Sequence, residues 1–511
     1  MIDILIIGSG GAGLTTALEA SQNGAKVLVV GKSYPTNSQT SMAQGGINSA
    51  LGNMDDDSVA SHIEDTLKSA KGLADEVMIR KMCEDAPDSI KWLESIGVGF
   101  SRDKNGNIAQ RKLGGATHKR ACYSQDYTGL KILHTLYDNA LKENIEFLNE
   151  HYLLNFITDN SKSKPKVIGA TLFDITKGEA IEIKASCVVV ATGGYSSIYH
   201  GFTTNSFESL GDGISATIRA GGDVSDMEFV QFHPTALKGS SILISESARG
   251  EGGYLLNSDG DRFVDELKPR DEVSRAIMDE IEKGKDIFLD LRHLGEEKLM
   301  ELLPQEIHLC KLHEKINPIE QIIPIKPVAH YTMGGIDVNH SLEVNGLDGL
   351  FAVGECSNSK VHGANRLGGN SLLEIISFGR LAGKNAYNYA KNSNTKDIES
   401  SQLSLDKEFI EQIYNYKNQI NFYEKKEFVG KLLYNNAGIK RNEKDLLIAL
   451  DEIKKIESEI ELMGIGDKSK EYNKNLMEFV EFINSLELCK ILLQSALDRK
   501  ESVGAHYRCK E

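Results

Sequence analysis

Six residues, GSGGAG at positions 8–13, constrain this chain more than any others. They follow an unbroken apolar run, IDILIIG, and precede Leu14, Ala17, Leu18 and Ser21, which recur at helical spacing until Asn23-Gly24. KVLVV at 26–30 then resumes an apolar run. A strand covered on both faces reads as continuous apolar sequence, so the N-terminus predicts strand, tight turn, helix and strand of a Rossmann-like α/β sheet. Gly8 allows the turn, Gly10 lets backbone N–H groups approach a pyrophosphate, and Gly13 lets helix and strand pack closely. The helix start, with Gly11 and Ala12, then turns its partial positive charge toward the phosphates. A tight turn that binds nothing is the plainer alternative.

A site for NAD ordinarily ends its second strand with an acid for the ribose. Here that end reads Val30-Gly31-Lys32, so something else must hold the adenosine. Two more glycine-rich strand ends follow, VVVATGG at 188–194 and LFAVGEC at 350–356. Glu355 in the second can take a ribose hydroxyl, or can equally be a solvated loop carboxylate. Three such ends on one ligand fit FAD better than NAD. The stretch SYPTNSQTSMAQGGINSAL, 33–51, is small and polar and is expected to wrap over that cofactor.

The 511 residues allow about three domains. Residues 1–222 and 332–390 keep the βα rhythm of an FAD-binding domain. Residues 223–331 lose it and read as an inserted α+β capping domain. From 391 to 511 glycine becomes rare and apolar residues fall at helical spacing, as in a C-terminal helical domain. Within the first part, 59–95 is expected to be helical, with Pro87 near a helix start and Gly97 closing it. IEIKASCVVVATGG is expected to be strand, turn and second strand. A net charge of -16 argues against nucleic acid. The seven cysteines form no CxxC pair, so no iron–sulfur or zinc site is expected, and free thiols fit a reducing compartment. No run approaches the ~18 apolar residues of a membrane span, and the first strand leaves no room for a leader. The expected location is cytoplasmic, or peripheral on the cytoplasmic side of the inner membrane through partners.

Twelve motifs in order resemble one family, the flavoprotein subunits of fumarate reductase and succinate dehydrogenase, with L-aspartate oxidase as a close relative. They include GSGGAG, AQGGI (43–47), DYTGLKILHTL (126–136), EFVQFHPTAL (228–237), ESARGEGGYLLN (246–257), KPRDEVSRAI (268–277), LDLRHLG (289–295), AHYTMGGI (329–336) and HGANRLGGNSLLE (362–374). The resemblance implies FAD held by Gly8, Gly10, Gly11, Ala12, Gly13, Lys32, Ser38, Gln39, Thr40, Gln44, Gly45, Gly46, Asp212, Glu355, Ser371 and Leu372. It implies a C4 dicarboxylate bound by His233, Ser245, His330 and Arg366. It also implies hydride transfer between flavin N5 and one alkene carbon, with Arg270 donating the proton and Glu246 and Arg249 refilling it. Singly, each has a bland reading: His233 beside Pro234 as loop packing, Arg270 as a helix-start residue paired with Asp271. An Arg acid, with a pKa above about 12, works only when promptly reprotonated; Glu246 and Arg249, three residues apart, can form that chain.

Some positions depart from the family pattern. Ser245 stands where relatives generally have Thr, which keeps the hydroxyl. Leu113 stands where aspartate oxidases carry Glu for the substrate ammonium, which favours succinate and fumarate. Gln39 replaces the His that membrane-complex relatives bond covalently to flavin, so FAD is expected to be non-covalent and biased toward fumarate reduction. Val503 replaces an Arg, and the sequence ends soon after Gly504-Ala505-His506; both bear on docking to the implied iron–sulfur subunit and membrane anchor. The leading expectation is a fumarate reductase flavoprotein subunit. L-aspartate oxidase and a non-catalytic flavin-binding scaffold are the alternatives.

Overall fold

The computed structural model describes residues 2–161, 163–393 and 399–509. Five strands run parallel, in the order 146–148, 27–30, 2–7, 185–190 and 350–352. Residues 4–7, 27–30, 185–190 and 350–352 are buried, as the apolar runs require, whereas the edge strand 146–148 is partly exposed. The helix Gly11–Gln22 follows the first strand and packs beside the helix Asn370–Asn392. Gly8 has φ +114, and a Cβ there would overlap the carbonyl of Ala191. A Cβ on Gly13 would overlap the carbonyl of Gly8. These two glycines set the turn and the helix–strand distance.

Two local expectations are corrected. Residues 59–95 form two helices, Val59–Ser69 and Glu76–Ser95, separated by a turn in which Lys71 and Gly72 take positive φ. Pro87 lies inside the second helix, whose true cap is Asp75, accepting the N–H groups of Val77 and Met78. The run 179–190 is one strand, with no turn. Its first half pairs antiparallel with 169–174 and its second half parallel with 2–7. The polar residues near 184–186 mark a change of partner, which a reading by polarity mistakes for a reversal.

A second sheet is antiparallel, in the order 230–237, 323–332, 287–290 and 254–257. It is backed by the helix Arg270–Glu282 and has its own core, including Leu255, Val273, Ile277, Leu289, Ile307 and Ile323. The C-terminal helices Gln402–Asn415, Phe422–Asn436, Glu443–Ser458 and Lys474–Asp498 join the main core through side chains such as Phe479, Phe482 and Leu486. Among the described residues no helix is long and apolar enough to cross a membrane.

Candidate active site

Loops at the carboxyl ends of the parallel strands wall an elongated cavity with about 1620 Å³ of empty space, mouth included. Its lining runs from the glycine turn Gly8–Ala12 to Arg270, His330 and Arg366, so one cavity joins the nucleotide-binding turn to the cationic residues. The residues singled out from the sequence all line it except Gly13 and Arg249, which sit behind the wall.

One end is a cradle. Gly10 caps the helix Gly11–Gln22 without a side-chain acceptor, and the Gly11 N–H donates to Thr40 Oγ1 at 3.1 Å. Ser38 Oγ, Gln44 Oε1 and Thr192 Oγ1 are buried with no protein partner. Each such orphan costs about 1–3 kcal/mol unless a ligand satisfies it. Their position along one wall, with the helix N-terminus, fits the pyrophosphate and ring edges of FAD. Gln39 Oε1 accepts the Ser206 N–H at 2.9 Å, tying the 33–42 wrap to the opposite loop.

Glu355 Oε1 accepts the Thr332 N–H at 2.9 Å and its hydroxyl at 3.2 Å, so the solvated-carboxylate reading falls. Burial pushes its carboxyl up to about 7. Lys32 Nζ lies 2.9 Å from Asp212 Oδ2 and 2.7 Å from Glu481 Oε1. Burial works against its charge, but those two carboxylates overcome it and hold the amine above the ordinary lysine range. Asp212 Oδ1 also accepts from Tyr152 Oη at 2.5 Å and Asn484 Nδ2 at 3.2 Å. Glu481 and Asn484 come from the C-terminal helix Lys474–Asp498, a contribution the sequence did not reveal.

The other end gathers cations and imidazoles. Arg270 heads the helix Arg270–Glu282. Its Nη2 and Nε donate to Glu246 Oε2 at 2.6 and 3.2 Å, and its Nη1 donates to Gln231 Oε1 at 3.0 Å. Asp271, the partner expected in a bland reading, instead pairs with Arg275 at 2.9 Å. The short helix Glu246–Gly250 places Arg249 Nη2 3.6 Å from Glu246 Oε1, while Arg249 Nη1 donates to the Glu266 carbonyl at 2.6 Å. Burial would raise the Glu246 carboxyl, yet Arg270 and Arg249 hold it below the usual range. Burial, only partly offset by Glu246, brings Arg249 down to about 10.

The His233 and His330 rings lie 4.9 Å apart. Burial, then the charge of Arg270, pushes both well below the ordinary imidazole range, so both are neutral. His330 Nδ1 is engaged by Thr204 Oγ1 at 2.7 Å, leaving its other nitrogen for the cavity. Ser245 Oγ accepts from the Ser247 hydroxyl at 2.7 Å and the Ser247 N–H at 3.2 Å, which frees its own proton to donate. The Arg366 guanidinium sits 4.2 Å from the centre of the Tyr331 ring, its Nη1 donates to Ser371 Oγ at 3.2 Å, and its Nε has no partner. Gln231 was legible in principle: it stands two residues before His233 in one strand and so shares its face. Tyr331 lies inside the AHYTMGGI motif without being singled out, and Thr204 carried no such signal.

Leu113, buried on the cavity wall against Gly45, offers no charge to a substrate ammonium. The FAD binding domain family matches residues 3–372, and the fumarate reductase flavoprotein C-terminal family matches 426–510. The 8-methylmenaquinol:fumarate reductase flavoprotein subunit of Wolinella succinogenes is 39% identical over 99% of this chain and 85% of its own length. The succinate dehydrogenase flavoprotein subunit of Coxiella burnetii is 38% identical over 99% of this chain and 91% of its own length. A solved quinol–fumarate reductase with menaquinol molecules superposes with a TM-score of 0.95 at 34% identity, covering 100% of this chain and 92% of that one. These relatives give the aspartate oxidase reading no support. With a dinucleotide cradle and a cationic cluster sharing one cavity, the chain belongs to the flavoprotein subunits of fumarate reductase and succinate dehydrogenase, FAD-dependent oxidoreductases of mixed α/β fold.

Proposed function

We propose that this chain binds FAD without a covalent bond and reduces fumarate to succinate, receiving electrons from an iron–sulfur partner at the cytoplasmic face of a membrane. The observation that carries the reading is the meeting of Arg270, Arg366, His233 and His330 at one end of the cavity that Gly8–Gly11 enter at the other. Burial, and after it the nearby charge of Arg270, brings Arg366 down to about 10. A guanidinium so burdened by burial and a neighbouring cation favours an anionic guest, and a C4 dicarboxylate has an anion at each end. That the relatives are themselves named as subunits supports delivery of electrons by a partner.

When bound, the flavin supplies hydride to one alkene carbon. Arg366, His330, His233 and Ser245 grip the two carboxylates and turn one out of conjugation, so that the double bond accepts negative charge. Arg270 passes a proton to the adjacent carbon. Glu246, fixed against Arg270 and close to Arg249, returns one to it. The segment 223–331 acts as a cap that keeps water from this exchange.

The test is direct. The purified chain is reduced photochemically under argon and mixed with fumarate, and the flavin absorbance is expected to recover at once. No recovery with fumarate, or faster recovery with an iminoaspartate source, overturns the reading. Gln39 supports the second half of the proposal: its amide has no ring nitrogen to bond flavin, and its oxygen is already occupied by Ser206. Acid precipitation is therefore expected to release all the FAD into the supernatant, whereas flavin retained in the pellet removes the non-covalent reading. Fumarate reduction is expected to outpace succinate oxidation in the same preparation.

A further inference from the structure

Two buried carboxyl groups meet where the second sheet's segment touches the nucleotide-binding segment, and no step above uses them. Asp126 opens the DYTG turn, and Glu306 lies in the first turn of the helix Pro304–Glu314. Both are completely shielded from solvent. Asp126 Oδ2 accepts the Glu306 N–H at 3.1 Å. The helix's own N-cap residue, Leu303, provides no acceptor, so a side chain from another part of the fold caps it. The Glu306 side chain reaches the other way, and its Oε1 accepts the Ser245 N–H at 2.8 Å. Ser245 is the N-cap of the short helix that carries Glu246 and Arg249. The remaining oxygens, Asp126 Oδ1 and Glu306 Oε2, have no partner.

Among the described residues neither carboxyl has an ion pair within 4.0 Å. Arg111 acts electrostatically on both carboxyls but stacks on Tyr123 at 3.7 Å and has Glu251 at 3.9 Å. Glu251 in turn faces Lys298 at 3.6 Å, and the Cys310 thiol lies one helical turn beyond Glu306. Two charges here would be desolvated and repel. Burial, with Asp126 adding to it, raises the Glu306 carboxyl far above the ordinary range, while burial lifts Asp126 to about 6.

We propose that Glu306 is a positioning residue: as a neutral acid it fixes Ser245 and the helix start at Glu246, while Asp126 holds Glu306, and the pair clasps the cap to the nucleotide-binding segment. This rests on the reading of Ser245 and Glu246 as part of the dicarboxylate site. The direction with pH follows from linkage. In the opened cap Glu306 regains an ordinary proton affinity, and in the closed cap it holds its proton more tightly. Closure is therefore strongest at low pH and weakens as pH climbs from the ordinary carboxyl range toward the raised value. His233 and His330, already neutral, do not contribute. Glu355, which titrates near 7, lies on the cofactor wall and could disturb a kinetic profile, so a local probe is needed.

The experiment is hydrogen exchange of residues 244–251 in the FAD-loaded chain without substrate, corrected for intrinsic rates, between about pH 6 and pH 9. Protection is expected to fall with pH, by at most about tenfold per unit, in the unaltered chain. In Glu306→Gln, which keeps an acceptor oxygen and has no proton to lose, protection is expected to stay level, and the KM for fumarate to flatten above neutrality. Glu306→Ala is expected to lose protection at every pH. If Glu306→Gln follows the same profile as the unaltered chain, the clasp is wrong, even if Glu306→Ala fails to fold. Because exchange is read without substrate, failure of the clasp is distinguished from failure of the fumarate reading.

Discussion

Replacing Arg270 by Gln is expected to lower fumarate turnover by at least about 10³-fold while the FAD content of the purified chain stays unchanged. The guanidinium is bonded to Glu246 and Gln231, which leaves it a single orientation. Behind it stands a carboxylate kept anionic by two arginines. Gln fills most of the space and still hydrogen-bonds Glu246, but it carries neither charge nor a transferable proton. Breaking a buried pair costs about 3–5 kcal/mol, so thermal unfolding belongs in the same experiment. Arg270→Lys supplies the control. It keeps the charge and loses the planar fork, so turnover should fall almost as far with a smaller loss of stability. Stopped-flow reoxidation of reduced flavin reads the step, and a rate within tenfold of the unaltered chain would remove Arg270 from proton transfer.

Arg366→Gln is expected to weaken malonate, a non-reacting dicarboxylate, by about 10²-fold, as when one partner of a buried charge pair is truncated. The side chain is presented by a fixed platform. Tyr331 lies under the guanidinium, and its hydroxyl donates to Glu374 Oε2 at 3.1 Å. Glu374 also takes His362 Nε2 at 2.8 Å and the Ser359 hydroxyl at 2.7 Å. The variant separates binding from folding. Without ligand, removing one of two neighbouring buried guanidiniums relieves repulsion, so the melting temperature should hold or rise. Stabilisation by malonate should vanish. Calorimetric titration checks the first number, and a loss under tenfold would exclude Arg366 from the carboxylate clamp.

Most of the parallel sheet was legible because strands such as 27–30 and 187–190 are buried and leave uninterrupted apolar runs, while Gly8 and Gly13 stand where any side chain would collide. Punctuation was less dependable. Pro87 was the loudest signal in 59–95 and misled, because the helix had already started at Asp75 and carried the proline in its interior. Lys184 and its polar neighbours looked like a turn, although a strand that changes partners needs no reversal. At the site, residues inside recognisable motifs could be named one by one. Thr204, Glu306 and Glu481, outside those motifs, could not. Each acts on a residue of another segment, as Glu481 does on Lys32 449 positions away, and no local pattern encodes such a pairing.

The reach of Glu481 to Lys32 carries a consequence for biosynthesis. Nearly the whole phosphate cradle is translated by residue 372, yet Lys32 lacks its second carboxylate until the helix Lys474–Asp498 emerges. A nascent chain can gather its glycine turns early and still present an unfinished wall to the nucleotide. Firm retention of the cofactor thus waits for residues 474–498, and truncations within them should yield a folded sheet that leaks its flavin.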